Sequence, residues 1–349
     1  MTKPTSDLKF KGYATGRKPC SIKDTSKWDQ FEVIDFKPKT PGDRDVDIKI
    51  DYCGVCGSDL HTITAGWGDA ILPIIPGHEI VGHVVSVGPK VTEFKVGDRV
   101  GVGAQISSCF QCDRCENSNE NYCLKPVDTY NSKYPNGDIA QGGYSTAIRA
   151  DERFVMPIPQ GLASEIAAPM LCAGLTVYSP LKRNGAGHFA LQFARALGSS
   201  EVIAFSHSEN KKEDALQLGA TQFVITQDDN FSEPWAGKID LIICTVDASS
   251  ALPLVKYLST LKVGGRFIMV GIPDEPLPPL KAFDLVPGGC FLGGSKIGSK
   301  QESIEMLNLA AKKGVTSRIQ MLPMCKAGEA VRNLKSGKVR YRHVLKVDI

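Results

Sequence analysis

The 349-residue sequence predicts an α/β plus β chain, in which a β-rich domain is followed by a doubly wound parallel sheet. Three observations predict it. Up to about residue 160, apolar residues alternate with period two in short runs cut by Gly and Pro, the pattern of half-buried strands. From about Ser164, helical and strand patterns alternate, which implies a parallel sheet covered on both faces. Seven of the eleven cysteines lie between Cys53 and Cys172, a clustering that in a chain of this length favours metal over disulfides.

Length allows two domains of about 150 residues each, and 42% apolar residues supply material for their cores. A net charge of +3 argues for neither nucleic acid nor a membrane surface as partner. Met1 to Lys11 is polar and lysine-containing, without the apolar centre of a signal peptide, and no apolar run approaches the roughly 18 residues of a membrane span. A soluble, cytoplasmic protein is expected.

In the first domain, Phe31–Phe36, Val46–Tyr52, Ile80–Val87 and Arg99–Val102 read as strands. In the second, Ser164–Tyr178 reads as largely helical, and His188–Leu197 as a helix with Phe189, Phe193 and Leu197 on one face. Strands are expected at Glu201–Phe205, Phe223–Thr226, Ile239–Val246, Arg266–Gly271 and Cys290–Gly293, with helices at Asn210–Leu218 and Leu252–Leu261. A helix near Ala327–Leu334 and a strand at Val339–Val347 close the chain and are expected to return to the first domain. The domains so drawn are 1–160 with 301–349, and 161–300.

The Val46–Tyr52 strand runs into Cys53-Gly54-Val55-Cys56-Gly57-Ser58-Asp59-Leu60-His61, completed downstream by Gly77-His78-Glu79. Brought together, this thiol, hydroxyl, carboxylate and imidazole set can hold a catalytic metal and carry protons away from it. Cys109-x2-Cys112-x2-Cys115-x7-Cys123 lies in a polar lobe (109–123) and fits a closed tetrahedral zinc site. An iron–sulfur cluster is the rival, but the run lacks the short final spacing and the Pro after the last Cys of the bacterial ferredoxin pattern. Cys172 read alone, in an apolar helix, is a buried core thiol.

These motifs, with Gln141-Gly142-Gly143-Tyr144 and Leu171-Cys172-Ala173-Gly174-Leu175-Thr176-Val177-Tyr178-Ser179-Pro180, resemble those of the zinc-dependent medium-chain alcohol dehydrogenases, in the branch of the NADP-dependent cinnamyl alcohol dehydrogenases. The resemblance implies a GroES-like catalytic domain and a Rossmann-type cofactor domain. It implies Cys56, His78 and Cys172 as ligands of a catalytic zinc, with Cys109, Cys112, Cys115 and Cys123 holding a second, structural zinc. Asp59 is then expected to hydrogen-bond the far nitrogen of His78, and Glu79 to lie beside the metal as an alternative ligand. Ser58 and His61 would carry the alcohol proton outward, by way of the cofactor ribose. Trp67 is a candidate wall of the substrate pocket, and equally plausible as core. Thr176, Val270, Ser295, Ile297 and Arg342 match cofactor-contacting positions, and a homodimer formed through the cofactor domain is implied.

The residues also speak to the cofactor. At the end of the Glu201–Phe205 strand an NAD site would place an acidic residue for the ribose 2′-hydroxyl. This chain has Ser206-His207-Ser208, then Lys211 and Lys212, donors suited to a 2′-phosphate and hence to NADP(H). One piece of the pattern is missing. A dinucleotide fold opens strand, Gly-rich turn, helix. Here Leu181-Lys182-Arg183-Asn184-Gly185-Ala186-Gly187 leads directly into the helix at His188. Roughly 15 residues, one strand with its turn, are expected to be deleted between Gly187 and His188, leaving two half-sheets with unpaired inner edges.

The sequence thus predicts a zinc-dependent oxidoreductase that transfers hydride between NADP(H) and a primary alcohol/aldehyde pair, aromatic or medium-chain. One alternative is a zinc-free quinone reductase, against which the cysteine set counts. The other is a zinc-containing pseudoenzyme, or a chain shortened at the transcript, that no longer binds cofactor.

Overall fold

Val46, Ile48 and Ile50 alternate inward along the strand Asp45–Gly54 and are sealed from solvent, as the period-two pattern requires. In the computed structural model, which describes residues 8–16, 27–184, 189–246 and 252–349, this strand is the centre of the first of two compact units. That unit comprises Met1–Ala173 and Ser299–Ile349; the second is Gly174–Gly298.

The first unit is built on a seven-stranded sheet in the order Val155–Pro157, Arg99–Val102, Glu79–Val87, Asp45–Gly54, Arg342–Lys346, Ile319–Pro323, with Ala147–Asp151 also paired to Asp45–Gly54. All pairs are antiparallel except Ile319–Pro323 with Arg342–Lys346. The register sets Gly54 opposite both Glu79 and Val344, so three strands meet where the metal-ligand motifs emerge. The final segment does return here: helix Ala327–Lys335 buries Ala327, Ala330 and Val331 against the core that holds Ile48 and Tyr144. A 14-residue helix, Lys300–Lys313, was not evident from periodicity. It opens on a Ser299/Glu302 capping box and closes on Gly314 in the left-handed region.

Ser164–Tyr178 is largely helical, as expected, and is divided into a turn of helix at Ser164–Ala167, a 3₁₀ turn at Ala168–Leu171 and the start of a longer helix at Ala173–Asn184. Pro169 removes a backbone donor, and Cys172 breaks the helix with φ −120° and ψ −74°. The boundary expected at residue 160 falls at 173, because the 3₁₀ turn packs on the Asp45–Gly54 and Glu79–Val87 strands.

In the second unit the parallel strands form two separate sheets. One pairs Ile203–Ser206 with Gln222–Ile225; the other has Ile239–Cys244, Leu261–Met269 and Phe291–Gly294 in that order. In the doubly wound order 3-2-1-4-5-6 these are 3-2 and 4-5-6, with the place of the first strand between them. The break expected between Gly187 and His188 itself lies outside the described residues. Among the described residues no strand joins the two sheets, and only residues 185–188 separate helix Ala173–Asn184 from helix Phe189–Leu197.

All four residues of Ile203–Ser206 are partly exposed, whereas a strand at that position in a complete parallel sheet is covered on both faces. The sheets are linked instead by a chain of rings. Phe205 meets Tyr257 at 5.5 Å between centroids, and Tyr257 meets Phe267 at 6.0 Å. Among the described residues no helix is long and apolar enough to cross a membrane.

Candidate active site

The chain leaves the Asp45–Gly54 strand and enters helix Gly57–Ile63 with Cys56 as its N-cap. Asp59 folds back over this turn: one carboxylate oxygen accepts the Cys56 N–H at 3.0 Å and the other the Gly77 N–H at 3.1 Å. The two motifs, distant in sequence, are thereby tied together. Gly77 has φ +98°, and a Cβ there would stand 2.5 Å from the Tyr144 ring and 2.8 Å from Cys53 Sγ. A Cβ at Gly54 would run into the Glu79 carboxylate, so Gly54 makes room for a candidate ligand and Gly77 for the Tyr144 ring and Cys53.

Cys56 Sγ and Cys172 Sγ lie 3.8 Å apart, and ligand atoms of Cys56, His78, Glu79 and Cys172 all fall within 4.8 Å of one another. All four residues are buried. His78 Nε2 and Glu79 Oε2 are sealed from solvent without a hydrogen-bond partner. An orphaned buried polar atom costs about 1–3 kcal/mol, and convergent orphans are what a missing cation would satisfy. The sulfur spacing agrees, since metal–sulfur bonds of about 2.3 Å in a tetrahedron give sulfur–sulfur edges of about 3.8 Å.

Electrostatics point the same way. A hydrogen bond from the Cys172 thiol, reinforced by His78, holds Cys56 well below the usual thiol range, while Cys172 is raised in turn. Burial alone would pull His78 down, but Cys56, Asp59 and Glu79 outweigh it and hold the imidazole at about 9. Burial pushes Glu79 up to about 8, against the opposing pull of Arg342. The pocket gathers acidic groups in a dry volume, which a divalent cation would balance.

In the polar lobe, sulfur separations are 3.5 Å for Cys112–Cys115 and Cys109–Cys123, 3.9 Å for Cys109–Cys115 and 4.0 Å for Cys112–Cys123. The lobe helix Asp113–Glu116 buries nothing, so the four thiols are its shared centre. They fit a closed tetrahedral zinc site.

The remaining predicted residues fall as follows. Ser58 Oγ is 3.6 Å from Cys56 Sγ, and His61 lies one turn further along the same helix, its ring stacked on Trp67 at 4.7 Å. Asp59 does not hydrogen-bond His78: Oδ1 and Nδ1 are 3.9 Å apart, because the carboxylate oxygens are taken by backbone N–H groups and a tyrosine. Arg342, read as a cofactor contact, is 3.4 Å from Glu79 Oε1 and 3.5 Å from the Val55 carbonyl.

In the second unit, Thr176 lies in helix Ala173–Asn184 and Ser206 ends its strand, with Oγ donating to the Ser208 carbonyl at 3.1 Å. His207 Nε2 is 3.2 Å from Gln227 Nε2, and Lys211 caps helix Lys212–Gln217. Lys212 pairs with Glu209 at 2.9 Å, which neutralises the one discordant acid beside them. Val270 and Ser295 follow neighbouring parallel strands, their N–H groups donating to Cys244 and Met269 carbonyls. Ile297 sits at φ +49°, a strained conformation for a β-branched residue and one that recurs at functional positions.

Sequence reasoning missed Tyr130 and the structural part of Tyr144. Tyr144 donates to Asp59 Oδ2 at 3.0 Å, and the Tyr130 ring stacks on His78 at 5.6 Å with planes 6° apart. Tyr144 was visible only as the end of Gln141-Gly142-Gly143-Tyr144, and nothing near Tyr130 marks it.

A fold with one β-rich unit, one unit of parallel strands and a buried Cys–His–Cys cluster defines a zinc-dependent oxidoreductase class. The comparisons agree. Residues 42–160 match the alcohol dehydrogenase GroES-like domain, and residues 185–312 match the zinc-binding dehydrogenase family. A probable mannitol dehydrogenase of Mesembryanthemum crystallinum is 44% identical over 330 residues, covering 90% of each chain. A cinnamyl alcohol dehydrogenase structure from Sorghum bicolor superposes with a TM-score of 0.89 at 36% identity, covering 97% of this chain and 98% of that one. One from Helicobacter pylori, complexed with NADP(H), gives 0.85 at 34% identity with the same coverages. The chain belongs to the zinc-dependent medium-chain alcohol dehydrogenases, in their cinnamyl alcohol dehydrogenase-like branch.

Proposed function

We propose that the protein interconverts primary alcohols and aldehydes, aromatic or medium-chain, with NADP(H) as hydride carrier, and that it works as an aldehyde reductase. The observation that carries the reading is the buried convergence of Cys56, His78 and Cys172 with two orphaned polar atoms, His78 Nε2 and Glu79 Oε2. These three residues would hold the catalytic zinc, and the four lobe cysteines the structural one. Zinc supplies Lewis acidity that polarises the substrate oxygen, and the nicotinamide supplies the hydride.

The chain's own groups do the rest. Ser58, beside Cys56, exchanges the proton of the substrate hydroxyl, and His61, three residues along the same helix face, relays it to solvent. Glu79 stands as a reserve ligand, its charge held by Arg342. Trp67, stacked on His61 and 43% exposed, offers an aromatic face to an apolar substrate. Ser206, His207 and Lys211 would bind the 2′-phosphate. The names of the relatives, cinnamyl alcohol and mannitol dehydrogenases, bracket the substrate range.

Phe291 on the outermost strand Phe291–Gly294, Phe283 and Val286 in the segment leading into it, and Val263 on the adjoining strand Leu261–Met269 are exposed, which supports a homodimer formed through this edge. Free thiols throughout the described residues suit the cytoplasm. The test is titration of the purified, zinc-loaded chain with NADPH followed by nucleotide fluorescence, with NADH as control. Saturable micromolar binding that favours NADPH is expected; no binding by soluble, two-zinc protein would overturn the reading.

A further inference from the structure

We propose that Tyr130 and Tyr144 are positioning residues for His78, acting through Asp59, so that two phenols fix the orientation of a catalytic metal ligand. The inference rests on the reading of His78 as a zinc ligand and adds to it the device that aims the ring.

Asp59, Tyr144, Tyr130 and His78 are all buried. A carboxylate has about four lone-pair sites. At Asp59 the Cys56 N–H and the Tyr144 hydroxyl occupy Oδ2, at 3.0 Å each, and the Gly77 N–H occupies Oδ1 at 3.1 Å. The buried Tyr130 phenol faces the same carboxylate, whose charge helps to keep the hydroxyl protonated. Asp59 is therefore held by donors other than His78, and presents Oδ1 as a fixed anion 3.9 Å from His78 Nδ1.

Tyr130 closes the other degree of freedom. Its ring lies nearly parallel to the imidazole, with centroids 5.6 Å apart, so rotation of His78 meets an aromatic face. Nδ1 is drawn toward Asp59 and the plane is set by Tyr130, which leaves Nε2, the partnerless nitrogen, for the metal. Groups that orient a metal-bound imidazole typically change metal affinity by 10–100-fold when removed. Without the phenols, Asp59 would be held by the Cys56 and Gly77 N–H groups alone, in a pocket that contains a second buried carboxylate, Glu79.

The experiment uses the full zinc-loaded chain and follows zinc release to the chromophoric chelator 4-(2-pyridylazo)resorcinol. Cys172→Ser identifies which kinetic phase belongs to the catalytic site. Tyr144→Phe and Tyr130→Phe keep both rings and remove only the hydroxyls. Each is expected to accelerate catalytic-site release about tenfold, and the double variant up to about 100-fold, with the four-cysteine phase unchanged. In an Asp59→Asn background the Tyr144→Phe effect should shrink to less than threefold, because the phenol acts through that carboxylate.

Wild-type release from the double variant would overturn the proposal, as would equal acceleration of both phases, which signals general loosening. A wild-type chain that holds only one zinc would overturn the underlying reading of the Cys56–His78–Cys172 site instead, and the two failures are distinguished by zinc content alone.

Discussion

The sulfur atoms of Cys56 and Cys172 stand 3.8 Å apart although 116 positions separate them in the chain. Cys56 reaches the site as a helix N-cap and Cys172 as the residue at which a helix breaks. Cys172→Ser is expected to bind one zinc fewer by elemental analysis, and to lose activity by at least about 10³-fold, while the lobe keeps its metal. An unchanged zinc content would remove Cys172 from the ligand set.

Arg342 and Glu79 form the second relationship with a measurable consequence. Glu79 is fully buried, and Arg342 retains about a quarter of its side chain in solvent. Above about pH 8, where Glu79 is ionised, removing the cation strands a buried carboxylate. Arg342→Ala should therefore lower unfolding stability by about 2–3 kcal/mol, less than a fully enclosed pair would lose. Adding Glu79→Gln should restore most of that in urea titrations, since no buried charge is then left unpaired. Equal losses in the single and double variants would show that the pair is not coupled.

Acid stability has a contribution at Asp138. The backbone N–H of Thr40, with the Thr40 hydroxyl and the Asn136 amide, holds this carboxyl at about 2, below its usual 3.8. A depressed folded value stabilises the protein above the unfolded value and loses that effect as pH falls through the folded one. The stability gap between wild type and Asp138→Asn should be widest above about pH 4 and close as pH approaches 2. A gap that stays constant across this window would refute the assignment.

The separated half-sheets make a prediction of their own. Ile203–Ser206 and Ile239–Cys244 each have a ladder on one side only among the described residues. Each unpaired buried backbone group costs about 1–3 kcal/mol. Insertion of roughly 15 residues, an apolar strand with a Gly-rich turn, between Gly187 and His188 should rejoin the sheets. Melting temperature should then rise by at least about 5 °C and NADPH binding tighten at least about tenfold. An insertion that leaves both unchanged would mean that the sheets are already joined by other means.

Much of this was legible in the residues. The Asp45–Gly54, Glu79–Val87 and Arg99–Val102 strands follow from clean period-two alternation, and the parallel strands of the second unit from short apolar runs between helices. The separation of the two parallel sheets among the described residues was readable too, because a helix that opens without a preceding apolar run breaks a strict alternation. The site was legible where chemistry imposes spacing, as in Cys109–Cys123, and where a motif is contiguous, as in Cys53–His61.

What escaped has physical reasons. Helix Lys300–Lys313 begins its buried face with two polar residues, Glu302 and Ser303, so its hydrophobic period is weak. The break at Cys172 follows the 3₁₀ turn that contains Pro169 and packs on the Asp45–Gly54 and Glu79–Val87 strands, contacts that local propensity does not carry. The Asp59 clamp joins Tyr144 to a residue 85 positions away, and Arg342 reaches Glu79 across 263. Such pairings are products of the sheet register and leave no local signature.

The most direct test of the central claim is NADPH oxidation by the soluble, two-zinc chain with cinnamaldehyde as substrate. Aldehyde-dependent turnover that is at least about tenfold faster with NADPH than with NADH, and absent in Cys172→Ser, is the predicted result. A chain that carries both zincs and yet oxidises no NADPH with any aromatic or medium-chain aldehyde would contradict it.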